Sequence, residues 1–443
     1  MDPTLKIQIF RNGIEIGELE LGQVEQQCEH YVIKITDHFW HVGMMSREPV
    51  INLLRKIWVN PNTIEWYRES AEKGDAYAQY ILGNRYANGL GVLKDSVEAV
   101  KWYRKSADQG KTEAQHNLGN RYRNGDGVSQ DLVEAVKWYR KSAEQGFALA
   151  QYNLGISYRD GEGVSQDLVE AVKWFRKAAE QGNADAQNNL GVCYCDGEGV
   201  IKDLVEAVKW LRKAAEQGNA LAQYNVGLRY SNGEGVSKDS VEAVKWFRKA
   251  AEQGHAGAQN SLGLRYYWGD GVLKDSFEAV KWLRKAAEQG HVDAQFNLGL
   301  RYYWGDGFFI DLAEAVKWLR KAAEQGHADA QNSLGLCYCD GKGVIKDLVE
   351  AVKWLRKAAE QGNALAQYNV GLRYSNGDGV LKDLVESYAY YNLASVSMED
   401  LIFARLGIDK LEKEMTPAQI EAGQKRSKEL QALIEANKKA NTK

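Results

Sequence analysis

FALAQYNLGISYRDGEGVSQDLVEAVKWFRKAAEQG, residues 147–182, is one period of a text that recurs along most of the chain. Its first half places Ala148, Ala150, Leu154, Gly155 and Tyr158 on one stripe at helical spacing, with small residues that permit close backbone approach. Gly161-Glu162-Gly163-Val164 then interrupts the pattern, and Asp167 followed by Glu170 is a helix-start signal. The second half puts Ala171, Trp174, Phe175, Ala178 and Ala179 on an apolar side and Lys173, Arg176 and Lys177 outward. It stops at Gly182, a residue suited to the left-handed backbone that ends a helix. The spacing predicts two helices, A and B, joined by a glycine turn.

The period is fixed. Trp66, Trp102, Trp138, Trp174, Trp210, Trp246, Trp282, Trp318 and Trp354 follow one another at 36 residues, the glycine recurs from Gly74 to Gly362, and the start aspartate recurs from Asp95 to Asp383. No proline occurs between Pro61 and Pro417, as unbroken helices require. A helix pair of this size cannot bury its apolar face alone, so neighbours must stack on one another. The expected fold is therefore all-α, a solenoid of 36-residue helix-turn-helix repeats. It comprises a leading helix B at about 61–73, eight full pairs over 75–362, and a degenerate ninth in which Tyr390 replaces the tryptophan. The domain boundaries read 1–55 for a small N-terminal module, 56–395 for the array and 396–443 for C-terminal capping helices.

Composition narrows the function classes. The 443 residues are 44% hydrophobic and 26% charged, enough apolar material for a core laid out as a strip. A net charge of −3 argues against a duplex-binding surface, which needs a basic excess. The opening residues have no signal-peptide layout and no run reaches membrane-spanning length, so a cytoplasmic location without membrane contact is expected. Cys193-Tyr194-Cys195 recurs as Cys337-Tyr338-Cys339, 144 residues later, with its flanking text copied. Block duplication explains that pairing better than a metal site, and no metal or cofactor is expected. Ser70-Ala71-Glu72-Lys73 has the Ser-x-x-Lys spacing of penicillin-reactive serines, but sibling repeats lack it. His255, His291 and His327 each follow a capping glycine, and the Gly-x-Gly segments are turns of every unit rather than phosphate cradles.

The strings Ala-Gln-x-x-Leu-Gly-x-x-Tyr, Gly-x-Gly-Val-x-x-Asp and Glu-Ala-Val-Lys-Trp-x-Arg-Lys-Ala-Ala-Glu-Gln-Gly resemble the Sel-one-like repeat (SLR), a relative of the tetratricopeptide repeat. The resemblance implies a right-handed α/α superhelix whose helices A line a concave face used for protein partners. The family's cysteine-rich branch carries a disulfide within each repeat, and this chain lacks that spacing.

The ends differ from the array. Lys6-Ile7-Gln8-Ile9-Phe10, a turn at Arg11-Asn12-Gly13, and Tyr31-Val32-Ile33-Lys34-Ile35 suggest a small α+β module. The layout around Asn12-Gly13 and Asp37-His38-Phe39-Trp40 resembles the bacterial GYF-type domain, which implies a cap or an accessory docking unit. Thr416-Pro417 opens an amphipathic final helix expected to close the exposed end of the core.

Function is sought where repeats differ. Arg121, Arg229, Arg265, Arg301 and Arg373 recur at one helix A position, where Ser157 is an exception, and Asn225 and Asn297 belong to an asparagine row with Asn117, Asn153, Asn189 and Asn369. Two readings stand: a row of amides and guanidiniums that binds an extended peptide, or arginines that pair with neighbouring acids. Tyr267-Trp268 and Tyr303-Trp304 replace small or polar pairs in two successive repeats and are hot-spot candidates. The leading expectation is a non-enzymatic scaffold or adaptor that binds a partner protein or extended peptide in the groove of helices A. Nucleic-acid recognition and a β-lactam hydrolase-like activity are the alternatives.

Overall fold

The computed structural model describes residues 6–11, 14–20, 38–40, 48–49, 61–307, 309–397 and 402–441. It divides into two compact units, Met1–Gln217 and Gly218–Lys443. Before the array, the described backbone consists of strand segments Lys6–Arg11, Ile14–Glu20, His38–Trp40 and Glu48–Pro49. The Asn12-Gly13 turn, Cys28 and most of the expected α+β module lie outside the described residues, so the GYF-type resemblance finds no support there.

In the first unit, Pro61–Glu72 is the leading helix B. Four pairs follow: Ala76–Asn88 with Ser96–Asp108, Thr112–Asn124 with Leu132–Glu144, Ala148–Asp160 with Leu168–Glu180, and Ala184–Asp196 with Leu204–Glu216. The second unit continues with Ala220–Asn232 and Ser240–Glu252, Ala256–Trp268 and Ser276–Glu288, Val292–Trp304 and Leu312–Glu324, Ala328–Asp340 and Leu348–Glu360, and Ala364–Asn376 and Leu384–Ser397. Helices Ile402–Glu412 and Pro417–Asn441 complete it. The architecture is an all-α repeat solenoid of helix pairs.

Local chemistry sets each boundary. Asp167 caps helix B by accepting from the Glu170 N–H at 3.0 Å, and Asp95, Asp131, Asp203, Asp239, Asp275, Asp311 and Asp347 cap their own helices in the same way. Gly161 ends helix A at φ 73°. A Cβ on the second turn glycine, Gly163, would lie 2.1 Å from the Leu132 carbonyl oxygen, so the turn of one repeat is seated on the start of helix B in the repeat before it. Gly155 is needed for a different reason. A Cβ there would meet the Phe175 ring at 2.6 Å, so helices A and B of the pair touch backbone to ring.

The tryptophans are core, as their spacing predicts. Trp102 through Trp354 are only 5–8% exposed, whereas Trp66, at the head of the array, is 47% exposed. At roughly 25 cal/mol per Å² and roughly 150–250 Å² per large aromatic, one such residue contributes about 4–6 kcal/mol before ordering entropy is subtracted. The lysine three residues on lies over each indole from Trp102 to Trp354, as Lys177 does over Trp174 at 3.9 Å from its ring centroid. Between repeats, the helix B arginine donates to the tyrosine of the next helix A: Arg176 to Tyr194 and Arg248 to Tyr266, both at 2.7 Å.

A buried glutamine fastens every pair. Gln151 donates from Nε2 to the Ala143 carbonyl of the previous helix B at 3.1 Å, and its Oε1 accepts from Gln181 at the end of its own helix B at 2.7 Å. The same two bonds recur at Gln79, Gln115 and Gln187 in the first unit and at Gln259, Gln295 and Gln331 in the second.

The end of the array is covered. Thr416 and Gln419 form a reciprocal capping box at the start of the last helix, with Thr416 N–H to Gln419 Oε1 at 2.9 Å and Gln419 N–H to Thr416 Oγ1 at 3.4 Å. Leu430 and Ile434 of that helix join Tyr390, Leu393, Ala358 and Ala359 in one cluster. Tyr390 takes the tryptophan's place, 5% exposed and stacked on Tyr374 with ring centroids 6.1 Å apart.

Two consequences are measurable. Gly155→Ala forces a Cβ into Phe175, so we expect a loss of about 1–3 kcal/mol in chemical denaturation. Phe175→Ala should then cost less in that background than alone, and additive losses would contradict the contact. The second concerns His116, which is 8% exposed and lies between Asn117 Oδ1 at 3.3 Å and Asn153 Nδ2 at 3.0 Å. Burial pulls its pKa down to about 4, against a smaller opposing effect from Asn117. The native state refuses a proton that the unfolded state takes up. Its contribution is therefore full above pH 6.5 and is lost as the pH falls from 6.5 towards 4. His116→Asn, which installs the residue found at Asn188 and Asn260, should flatten that part of the stability profile, and an unchanged acid slope would refute the assignment.

Candidate functional site

The arginine row is engaged within its own turns. Arg121 meets Asp126 at 3.5 Å, Arg301 meets Asp306 at 3.3 Å and Arg373 meets Asp378 at 3.2 Å, while Arg229 pairs with Glu234 and Arg265 with Asp270. Each acid is five residues after its arginine, between the two turn glycines, and Arg265 also donates to Ser231. These side chains are only 11–20% exposed. Where Ser157 stands in place of arginine, Glu162 of that turn is paired instead with Arg123 of the preceding repeat at 2.9 Å. The geometry thus corresponds to the second of the two readings, intramolecular pairing.

The asparagines form a ladder. Asn117 donates to Asn84 at 3.2 Å, Asn153 to Asn120 at 3.3 Å, Asn297 to Asn260 at 3.3 Å and Asn369 to Asn332 at 3.0 Å, each joining one helix A to the previous one. Asn225 is half-buried at the equivalent place. The three histidines also act locally: His255, His291 and His327 cap helix A through Nδ1, at 3.1, 3.3 and 3.2 Å from the capped N–H groups. His255 stacks on Tyr224, and its pKa is lowered first by burial and then by nearby His291. Cys193 and Cys337 are buried, which pushes both thiols up to about 11 and leaves little reactive thiolate.

The aromatic pairs stand apart from these internally paired rows. Trp268 is 70% exposed and Trp304 is 64% exposed. Each indole meets the tyrosine before it edge-on, with ring centroids at 4.6 Å for Tyr267 and 4.9 Å for Tyr303. The tyrosines are held from the next repeat. The Arg301 guanidinium lies 3.6 Å from the Tyr267 ring centroid, and the Tyr267 hydroxyl is 3.2 Å from Asp306 Oδ2. Lys342 donates to the Tyr303 hydroxyl at 3.0 Å and also pairs with Asp340, which together push the lysine up to about 12. The result is two rigid corners, each a fixed phenol wall and an exposed indole wall.

Sequence reasoning passed over the residues around these corners. Leu273, Phe277, Phe309 and Ile310 are 63–94% exposed. Gly307 is seated on the Ser276 carbonyl, so Phe277 and Phe309 flank that junction. The available signal was substitution against the repeat text, with Phe277 standing where most siblings carry valine and Phe309 where they carry leucine, isoleucine or serine. The glutamine staple was also missed, although Ala-Gln recurs in every unit.

Comparison with known proteins agrees with this architecture. The Sel1 repeat family model matches ten consecutive segments, from 62–75 and 76–111 through 328–363 and 364–395. A protective antigen of uropathogenic Escherichia coli strains displaying an SLR fold is 35% identical. That match covers 85% of this chain and 97% of the antigen, with a TM-score of 0.49. A Sel1 repeat protein from Oxalobacter formigenes is also 35% identical, with 72% of this chain and 93% of the other covered and a TM-score of 0.54. Comparison with curated proteins finds no match. None of the described helices is long and apolar enough to cross a membrane. On the family match and the Oxalobacter formigenes relative, the chain belongs to the Sel1 repeat family, whose helix-pair repeats typically build protein-interaction scaffolds.

Proposed function

We propose that this protein is a non-enzymatic cytoplasmic scaffold that recognises a partner protein through the corners Tyr267-Trp268 and Tyr303-Trp304. The observation that carries the reading is the contrast between two exposed indoles, 70% and 64% exposed, and an array whose other conspicuous polar rows are spent on internal bonds. Exposed tryptophan on an immobilised support supplies contact area at little entropic cost, the property that concentrates binding energy in a few residues. A groove of helices A contacting an extended peptide through Arg121, Arg229 and Arg373 is less favoured, because a ligand must break an ion pair at each step. The same engagement disfavours nucleic acid, which requires guanidiniums free for phosphate.

The test compares partner capture from host extract by the full chain and by Trp268→Asn/Trp304→Asn. Asparagine is the residue at the equivalent Asn232 and Asn376, so the helix end tolerates it. With helicity and melting unchanged, the variant should lose its bound protein, whereas Arg121→Gln should retain it. An identical partner set for all three proteins would overturn the assignment.

A further inference from the structure

We infer that the end of the array holds a site for a monocarboxylate with an aliphatic body, of the medium-chain fatty-acid class, in a cavity between the last repeat and the C-terminal helix. The cavity measures about 500 Å³ and lies wholly within the second unit, inside the range of about 300–1,000 Å³ usual for small-molecule sites. It is independent of the aromatic corners.

The cavity opens where the repeat text changes. In an inner repeat, Arg284 donates to the Tyr302 hydroxyl, and Trp318 of the following helix B packs in the same cluster as that tyrosine. The corresponding residues at the end of the array are Arg356, Tyr374 and Tyr390, and Leu393 takes the place of the lysine that lies over each indole. All four line the cavity. Tyrosine is smaller than tryptophan, and Tyr390 stacks on Tyr374. Arg356 lies over the Tyr374 ring, 5.2 Å from its centroid, and has no ion pair or hydrogen bond among the described residues. Tyr390 is 5% exposed, yet its hydroxyl likewise has no hydrogen-bond partner among them. Burial raises its pKa against the opposing pull of Arg356, so the phenol stays protonated and can donate. The far wall is apolar, made by Leu430, Leu433 and Ile434 of helix Pro417–Asn441.

That combination selects the ligand. A guanidinium matches a carboxylate in a two-pronged fork, the phenol adds a second donor, and the leucines and isoleucine receive an aliphatic chain. A more highly charged anion such as phosphate is disfavoured, because the two arginines of the lining, Arg356 and Arg426, face three acids, Glu360, Asp383 and Glu386. A cation meets the unpaired Arg356 and finds two of those acids engaged. Asp383 accepts from the Val385 and Glu386 N–H groups at 2.9 and 3.0 Å, and Glu386 accepts from Arg426 at 2.6 Å. Glu360, the third, is exposed at its helix end.

The experiment is calorimetric titration of the full chain with decanoate below its micelle concentration, with acetate, inorganic phosphate and decyltrimethylammonium titrated in parallel. We expect saturable binding of one decanoate per chain, with each of the other three at least tenfold weaker. Arg356→Gln keeps an aliphatic stem over Tyr374 and should weaken decanoate at least tenfold. Leu433→Asn, at a position 57% exposed, should weaken it with melting unchanged. Trp268→Asn/Trp304→Asn should bind decanoate as the unaltered chain does. No binding, unsaturable uptake of several decanoates, equal or tighter binding of phosphate or the ammonium, or affinity indifferent to both Arg356→Gln and Leu433→Asn would overturn the inference. Binding lost only in Trp268→Asn/Trp304→Asn would overturn it too, by placing the ligand at the corners.

Discussion

A glutamine that cannot reach water governs this array. Gln151 is 4% exposed, yet its amide is satisfied on both ends, by a carbonyl of the previous helix B and by an amide of its own helix B. One side chain therefore links three helices. Leaving such a group unpaired costs about 1–3 kcal/mol, and the same geometry recurs repeat after repeat within each unit. From Gln79 to Gln331 the glutamine bonds recur at eight residues back and thirty ahead, as at Gln187, and the second turn glycine is wedged on the preceding helix start. Those three constraints account for a period of 36 residues kept without insertion.

Given that frame, most of the polar chemistry is consumed in holding repeats together. Arginines pair inside turns, asparagines bond along helices A, and histidines cap. Such groups offer a ligand little, since any contact must replace a bond already made. The proposed recognition therefore rests on residues that depart from the repeat text without entering the frame. Trp268 and Trp304 are such residues. Their partner tyrosines are locked by the neighbouring repeat, which turns two flexible surface rings into preformed corners.

The fold was legible in the sequence because repetition multiplies every weak signal. Trp174 at a fixed interval, Asp167 before Glu170 and Gly182 after the last turn each mean little once, but agreement across many copies leaves one architecture. The same repetition obscured the site. Arg121 and Arg301 could be read as a binding row or as residues paired with neighbouring acids, because periodicity cannot distinguish a residue repeated for partners from one repeated for structure. The acid five residues on, Asp126 or Asp306, was visible, but only the turn geometry brings it against the guanidinium. Exposure of Trp268 could be guessed from its place at a helix end. The locking of Tyr267 by Arg301 could not, because it crosses between repeats. At the N-terminus, short β-branched runs such as Tyr31-Val32-Ile33 carry no repetition to strengthen them.

The central claim is that each buried glutamine couples its repeat to the one before. Native-state hydrogen exchange on Gln151→Ala tests it most directly. The account predicts that amide protection falls in helix Leu132–Glu144 of the preceding repeat as well as in helices Ala148–Asp160 and Leu168–Glu180, because the bonds to Ala143 and Gln181 are lost together. Protection lost only within residues 148–183, with the preceding helix unchanged, would contradict it.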